Sequence, residues 1–312
     1  MTSSFQYSPS HYVPFRDVAE IDRCRNIRRA DIDKHPNPDF RIRVMPGDEL
    51  EFRWIADMFR RIKVSDERDE PAVLIVPNPC PGVYRKVAHL INLMGVSCRN
   101  LHIFTMDEYA NEDGIIAPED WRLGFMHSFL GSFYGSVLQP LRPPREQIHG
   151  PTNENIGHYG EMIAAFGGAD MCYSGPGWTG HVAFVEPDAP EFDAPLDEWR
   201  RFGPRVCTLS PFTLAQNSLH GSFGMSGDIA AVPPKAATIG PAEVIGAKNR
   251  MEFAGISVRG TSTAWQRLIA RLCYHGPVTP RLPSSIHQEL RTDCFISDVI
   301  AQDIIPDWEK GY

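Results

Sequence analysis

The chain has no apolar run approaching the roughly 20 residues that a bilayer-spanning helix needs, so no membrane partner is expected. It has no Cys-x-x-Cys pair, and its seven cysteines, an odd number, lie far apart. That spacing suits reduced thiols in small core positions and argues against a disulfide framework or a zinc site. No basic run exceeds a few residues, and the formal net charge is −8, so nucleic acid is not an expected partner. Residues 1–16 lack the basic, apolar, small-residue order of a secretory signal, and a cytoplasmic location is expected. There is no internal repeat and no long low-complexity tract.

What is present is enough chain, 312 residues, for one large α/β domain or two modest ones. Residues 1–39 are polar, mixed in charge and close on His35-Pro-Asn-Pro38. They read as an irregular N-terminal extension, an arm that could pack on a neighbouring subunit. Residues 40–312 read as a single domain. Arg41-Ile-Arg-Val-Met45 alternates as a half-buried strand does. Pro46-Gly-Asp-Glu49 is a helix start, followed by Ile55, Met58, Phe59 and Ile62 at helical spacing. Ala72-Val-Leu-Ile-Val76 is a continuous apolar run, the mark of a strand buried on both faces. A proline-rich loop over 77–82 and a helix to Met94 come next, then a strand over 101–105 ending in Met106-Asp-Glu-Tyr109. Helices are expected at 121–133, 154–166 and 262–273, and strands before Gly175, at 237–239, 253–258 and 293–296. This alternation predicts an α/β fold: a doubly wound, mainly parallel sheet with helices on both faces. Ligands in such sheets bind beyond the carboxyl ends of the strands, where Asn78, Asp107 and His181 all fall. The segment 219–228, rich in glycine and serine, reads as a lid or as a plain surface loop.

The most informative segment is Tyr173-Ser-Gly-Pro-Gly-Trp-Thr-Gly-His-Val-Ala-Phe-Val-Glu-Pro187. Gly175, Gly177 and Gly180 allow sharp turns and close backbone approach to a ligand. His181 can move protons near neutral pH, and a carboxyl such as Glu186 can set its tautomer. His181 alone would equally suit a buried turn with a satisfied imidazole. Asp107 alone would equally suit a helix N-cap. Trp178 offers either a stacking face for a sugar ring or a core residue.

Two blocks carry a resemblance. Phe104-Thr-Met-Asp-Glu-Tyr109 is similar to the F-N-M-D-E-Y block of the glucosamine-6-phosphate deaminase family, and Gly177-Trp-Thr-Gly-His-Val-Ala-Phe-Val-Glu-Pro187 resembles its G-N-D-G-H-I-A-F-N-E-P block. Weaker matches follow in the same order at 125–127, 213–218 and 233–240, so the resemblance covers roughly residues 40–300. It extends more loosely to the 6-phosphogluconolactonases of the same superfamily. It implies that Asp107 is the base moving a proton between the first two sugar carbons, with His181 and Glu186 assisting ring opening. The substrate contacts expected on this reading come from Asn78, Cys80, Gly175, Gly177, Thr179, Gly180, Thr261 and Thr263; the chemistry requires no cofactor or metal, and a homo-oligomer is expected mainly by family analogy.

The pattern also breaks. The family's glycine-rich phosphate loop is replaced by Asn78-Pro79-Cys80-Pro81, in which each proline removes an N–H donor. Gly260-Thr-Ser-Thr263 stands where the family has a lysine turn, and Leu219 where it has an arginine. Arg259 or Arg205 could supply a relocated cation. Thr179 replaces an aspartate two residues before the histidine, and a hydroxyl does not stabilise an imidazolium as a carboxylate does. The expected function is therefore a sugar isomerase or amino-sugar deaminase acting on an unphosphorylated or atypical sugar. The alternatives are a sugar lactone hydrolase and a non-catalytic sugar-binding regulator.

Overall fold

A computed structural model describes residues 7–255 and 265–309. Its strands are β1 (Phe40–Met45), β2 (Ala72–Val76), β3 (Leu101–Thr105), β4 (Asp107–Ala110), β5 (Ile148–His149), β6 (Met171–Ser174), β7 (Arg205–Thr208), β8 (Lys235–Thr238), β9 (Arg250–Ala254) and β10 (Thr292–Ser297). Seven form one sheet in the order β1-β10-β9-β6-β2-β3-β5, and every pairing in it is parallel. The other three form an antiparallel sheet, β4-β8-β7. The helices are α1 (Val18–Arg25), α2 (Gly47–Arg68), α3 (Pro81–Met94), α4 (Phe125–Ser132), α5 (Tyr159–Ala164), α6 (Leu196–Trp199), α7 (Pro211–Asn217), α8 (Pro241–Gly246), α9 (Gln266–His275) and α10 (Asp298–Ala301).

The parallel sheet is covered on both faces, and its central strand β2 is apolar and buried at every position. In β2, Leu74 and Val76 join the core under α2, α3 and α4, while Val73 and Ile75 join the core on the opposite face. The helical spacing of α2 buries Leu50, Trp54, Ile55, Met58 and Ile62. The Trp54 ring stacks on Phe253 of β9 at 5.4 Å and on Tyr173 of β6 at 5.7 Å.

Four expectations are corrected. Asp107 is not a helix N-cap: it begins β4, paired with Thr238 of β8. The helix expected from Trp121 begins only at Phe125, because the Glu108 carboxyl caps it there, accepting N–H bonds from Phe125 at 3.0 Å and Met126 at 2.7 Å. The helix expected over 154–166 contracts to α5, since Thr152 and Asn155 bond each other's backbone in a turn ahead of it. The N-terminal segment is not wholly irregular. Cys24 of α1 and Ile32 are fully buried in a core shared with Tyr274 of α9 on the same chain. The helix start expected at Ser262 and the strand end expected at Val258 lie outside the described residues.

Candidate active site

A pocket opens at the carboxyl ends of β2, β3 and β6. It lies between β2 and β6, where the chain switches from building the sheet on one side of β2 to building it on the other. The loop after β2 supplies Asn78 and Cys80, the step from β3 to β4 supplies Asp107, and the turn after β6 supplies Gly175, Gly177, Trp178 and His181. The far wall comes from the end of α7 and from Leu219 and His220 beyond it, with Trp265 and Gln266 at the start of α9.

The glycines of the β6 turn have separate reasons. A Cβ on Gly175 would lie 2.5 Å from the Phe253 carbonyl oxygen, so β9 leaves no room for a side chain. A Cβ on Gly177 would lie 1.9 Å from Nε2 of His181, so the imidazole packs against bare backbone. Gly180 has φ 80°, the left-handed region in which glycine is favoured. The turn closes with Gly180 N–H donating to Gly177 O at 2.9 Å and Gly177 N–H donating to His181 O at 3.0 Å. Ser284 pins it from below, its N–H donating to Gly180 O at 2.8 Å and its hydroxyl to His181 O at 3.1 Å.

This geometry assigns the His181 tautomer. The Thr179 hydroxyl donates its one hydrogen to Glu186 Oε2 at 3.1 Å. Its oxygen, 3.0 Å from His181 Nδ1, is then an acceptor, so Nδ1 carries the proton. Thr213 Oγ1 lies 3.1 Å from the same nitrogen. Nε2 is left with a free lone pair. Glu186 is fully buried behind this pair, with Oε2 3.6 Å from His181 Nδ1 and Oε1 accepting from Ser210 N–H at 3.4 Å. It does not line the pocket, and its carboxyl reaches His181 through the Thr179 hydroxyl. Replacement of the family's aspartate by Thr179 therefore leaves the histidine linked to a carboxyl by one hydroxyl.

Asp107 is 4% exposed, and its Oδ1 has no hydrogen-bond partner among the described residues. Burial, and then the neighbouring Glu108 charge, push its carboxyl well above the ordinary carboxylate range. Its proton therefore leaves at a higher pH than that of an ordinary carboxyl, and the ionised form is the base. Cys80 shares the pocket, but burial, Asp107 and Glu51 raise its thiol to about 12, which keeps it protonated and a poor nucleophile. Glu108 serves α4, and Tyr109 donates its hydroxyl to Asn217 Oδ1 at 3.0 Å.

Asn78, Cys80, Asp107, Gly175, Gly177 and His181 line one pocket, and Thr179 and Gly180 stand directly behind its wall. Thr261 and Thr263, with Arg259 and Gly260, lie outside the described residues. Arg205 is not at the pocket; its guanidinium stacks on Phe202 at 4.1 Å and bonds the Glu191 carbonyl. Trp178 is not a core residue: it is half-buried at the pocket, 5.5 Å from the ring of Trp265. Sequence reasoning missed His220, Gln266, Trp265 and Thr213. His220 was hidden in the glycine-rich segment read as lid or loop, whose first two residues are pocket wall. Thr213 stood in a weak match, with nothing to mark it as a partner of His181.

Relatives share this arrangement of chain. A glucosamine-6-phosphate deaminase of Parabacteroides distasonis is 27% identical over 216 residues, 67% of this chain and 73% of its own. One from Beutenbergia cavernae is 29% identical over 228 residues, 72% of this chain and 77% of its own. Among solved structures, a monomeric glucosamine-6-phosphate deaminase superposes with a TM-score of 0.67 at 20% identity, covering 83% of this chain and 98% of its own. The chain is thus similar in sequence to glucosamine-6-phosphate deaminases and shares their fold. The 6-phosphogluconolactonase of Trypanosoma cruzi has the same fold at a TM-score of 0.59 and 14% identity, over 87% of this chain and 100% of its own. No family model matches the chain.

Proposed function

We propose that this protein is an enzyme that transfers a proton between adjacent carbons of a sugar lacking phosphate at the usual position. The observation that carries the reading is one pocket holding both an unpartnered Asp107 carboxyl oxygen and the free Nε2 of His181. His181 Nε2 takes the proton of the anomeric hydroxyl and returns it to the ring oxygen as the ring opens. Asp107, ionised, removes the proton on C2 and delivers it to C1. A plain aldose then becomes a ketose. An amino sugar loses its nitrogen as ammonia, and water supplies the oxygen of the new ketone.

The absence of phosphate is supported by Pro79 and Pro81, which carry no N–H in the loop after β2, and by Leu219, which lines the pocket where the family has an arginine. The free Nε2 also supports a second reading, in which His181 takes a proton from water as that water adds to a sugar lactone carbonyl.

The test is a turnover panel of unphosphorylated aldoses, amino sugars and lactones beside their 6-phosphate esters, reading ketose, ammonia and acid. Ketose or ammonia from unphosphorylated substrates supports the first reading, and acid release the second. Faster turnover of the phosphate esters overturns the substrate claim, and tight sugar binding without turnover overturns the enzyme. Asp107→Asn is expected to lower isomerase or deaminase turnover by about 10²–10⁴-fold. Near-full activity in that variant removes Asp107 from the mechanism.

A further inference from the structure

Several buried polar atoms of the pocket have no hydrogen-bond partner among the described residues. They include Oδ1 of Asp107, both amide atoms of Asn78, Nδ1 of His220 and Oε1 of Gln266. Buried polar groups are almost always hydrogen bonded, so a cluster of such atoms around one cavity marks the places where a ligand completes the bonding. Two of the residues have no part in the proton transfer described above. His220 is 8% exposed and Gln266 is 6% exposed.

Both are held by the fold. The His220 N–H donates to Asn217 O at 2.8 Å, and its carbonyl accepts from Phe223 at 3.1 Å and Met225 at 3.0 Å. Its ring lies 6.4 Å from that of Phe125. Burial, and then the nearby His181, lower the His220 imidazole to about 4, so at neutral pH it is uncharged. Gln266 begins α9, next to Trp265, whose ring faces Trp178.

We propose that His220 and Gln266 are specificity-determining contacts that hydrogen bond the hydroxyl groups of an uncharged sugar. The inference rests on the sugar-transforming reading of the pocket and names the chemistry that selects the sugar. A phosphate group at neutral pH only accepts hydrogen bonds and favours charged donors. A hydroxyl both donates and accepts. The carbonyl oxygen of Gln266 is an acceptor that suits a hydroxyl and repels a phosphate oxygen. A neutral imidazole nitrogen takes either role without asking for charge. The half-buried faces of Trp178 and Trp265 add flat apolar surface for the C–H faces of a sugar ring.

The test uses the full chain and titration calorimetry with D-glucose, D-fructose and D-glucono-1,5-lactone, each beside its 6-phosphate ester where one exists. The variants are His220→Phe, His220→Asn and Gln266→Leu, each checked for an unchanged thermal melt. His220→Phe keeps the ring packing and removes the nitrogen, whereas His220→Asn restores a short polar group. The wild type is expected to bind an uncharged sugar more tightly than its phosphate ester. His220→Phe and Gln266→Leu should each weaken that binding by about 3–10-fold, the net worth of one hydrogen bond, and His220→Asn should recover part of the loss. If turnover follows, KM should rise more than kcat falls. Unchanged affinity in both His220→Phe and Gln266→Leu overturns the inference even where turnover on unphosphorylated sugar is intact. Tighter binding of the phosphate esters overturns it as well. Loss of uncharged-sugar binding in these variants, with no turnover in the wild type, supports it while removing the enzymatic reading. Should His220→Phe fail to fold, Gln266→Leu decides.

Discussion

Thr179, which stands where the resembling block has an aspartate, keeps His181 linked to the Glu186 carboxyl through one hydroxyl. Its hydroxyl has one hydrogen, already given to Glu186, and this is what forces the proton onto Nδ1 of His181 and frees Nε2. Thr179→Val keeps the shape and removes the hydroxyl. It should lower kcat by about 10–100-fold with KM little changed, and Thr179→Ser should restore most of the loss; equal activity in Thr179→Val would show that Thr213 alone sets the tautomer. Asp107 carries its own pH signature. Its acidity is weakened on folding, so its neutral form favours the folded state below the ordinary carboxylate pKa, and that contribution is lost as pH rises through the raised value. Turnover should therefore climb with pH as Asp107 ionises. Asp107→Asn, inactive, should lose less stability on going alkaline than the wild type does. A turnover profile falling over that range would contradict Asp107 as the base.

At the scale of elements, the turn after β6 does most to build the site, and its tolerances are narrow. Gly177→Ala would drive a methyl group into the His181 ring, so the ring must leave its place or the turn must open. Turnover should fall below detection, while the melting temperature drops by only a few degrees because the turn is a small part of the core. Full activity in Gly177→Ala would mean that the imidazole reorients at no cost. The same scale shows what the sequence makes legible. A continuous apolar run identifies β2, since only a strand buried on both faces is apolar at every position. Glycine spacing and His181 mark the turn. The antiparallel sheet is harder to read because its strands are four residues each and include polar members such as Arg205, Thr208 and Lys235. The start of α4 depends on a carboxyl seventeen residues earlier in the chain, which no local pattern reveals. His220 and Gln266 reach the pocket through tertiary packing alone.

For the whole molecule, the two ends of the described chain meet at Arg271 of α9. This guanidinium is fully buried and donates to the carbonyls of Ile27 at 2.9 Å, Ala301 at 3.0 Å and Gln302 at 2.9 Å. Arg29 N–H donates to Asp303 Oδ1 at 2.7 Å beside it. Arg271→Met fills much of the volume and leaves those carbonyls without their donor. It should destabilise the fold by about 3–5 kcal/mol, with amide exchange rising together over residues 17–32 and 298–303. Exchange rising in one segment only would show that the two are held separately. The seam between the sheets has a different consequence. Met106 N–H donates to the Val76 carbonyl of the parallel sheet at 3.0 Å, and its own carbonyl accepts from Ile239 beyond β8 at 2.8 Å. Asp107 is the next residue, whereas His181 rides on a turn anchored to β6 and Ser284. Phe184 N–H, three residues beyond His181, donates to Thr238 Oγ1 at 3.0 Å, and Thr238 is the register partner of Asp107. The carboxyl and the imidazole are thus referred to the same residue of β8, which makes that strand the common gauge for the spacing of acid and base.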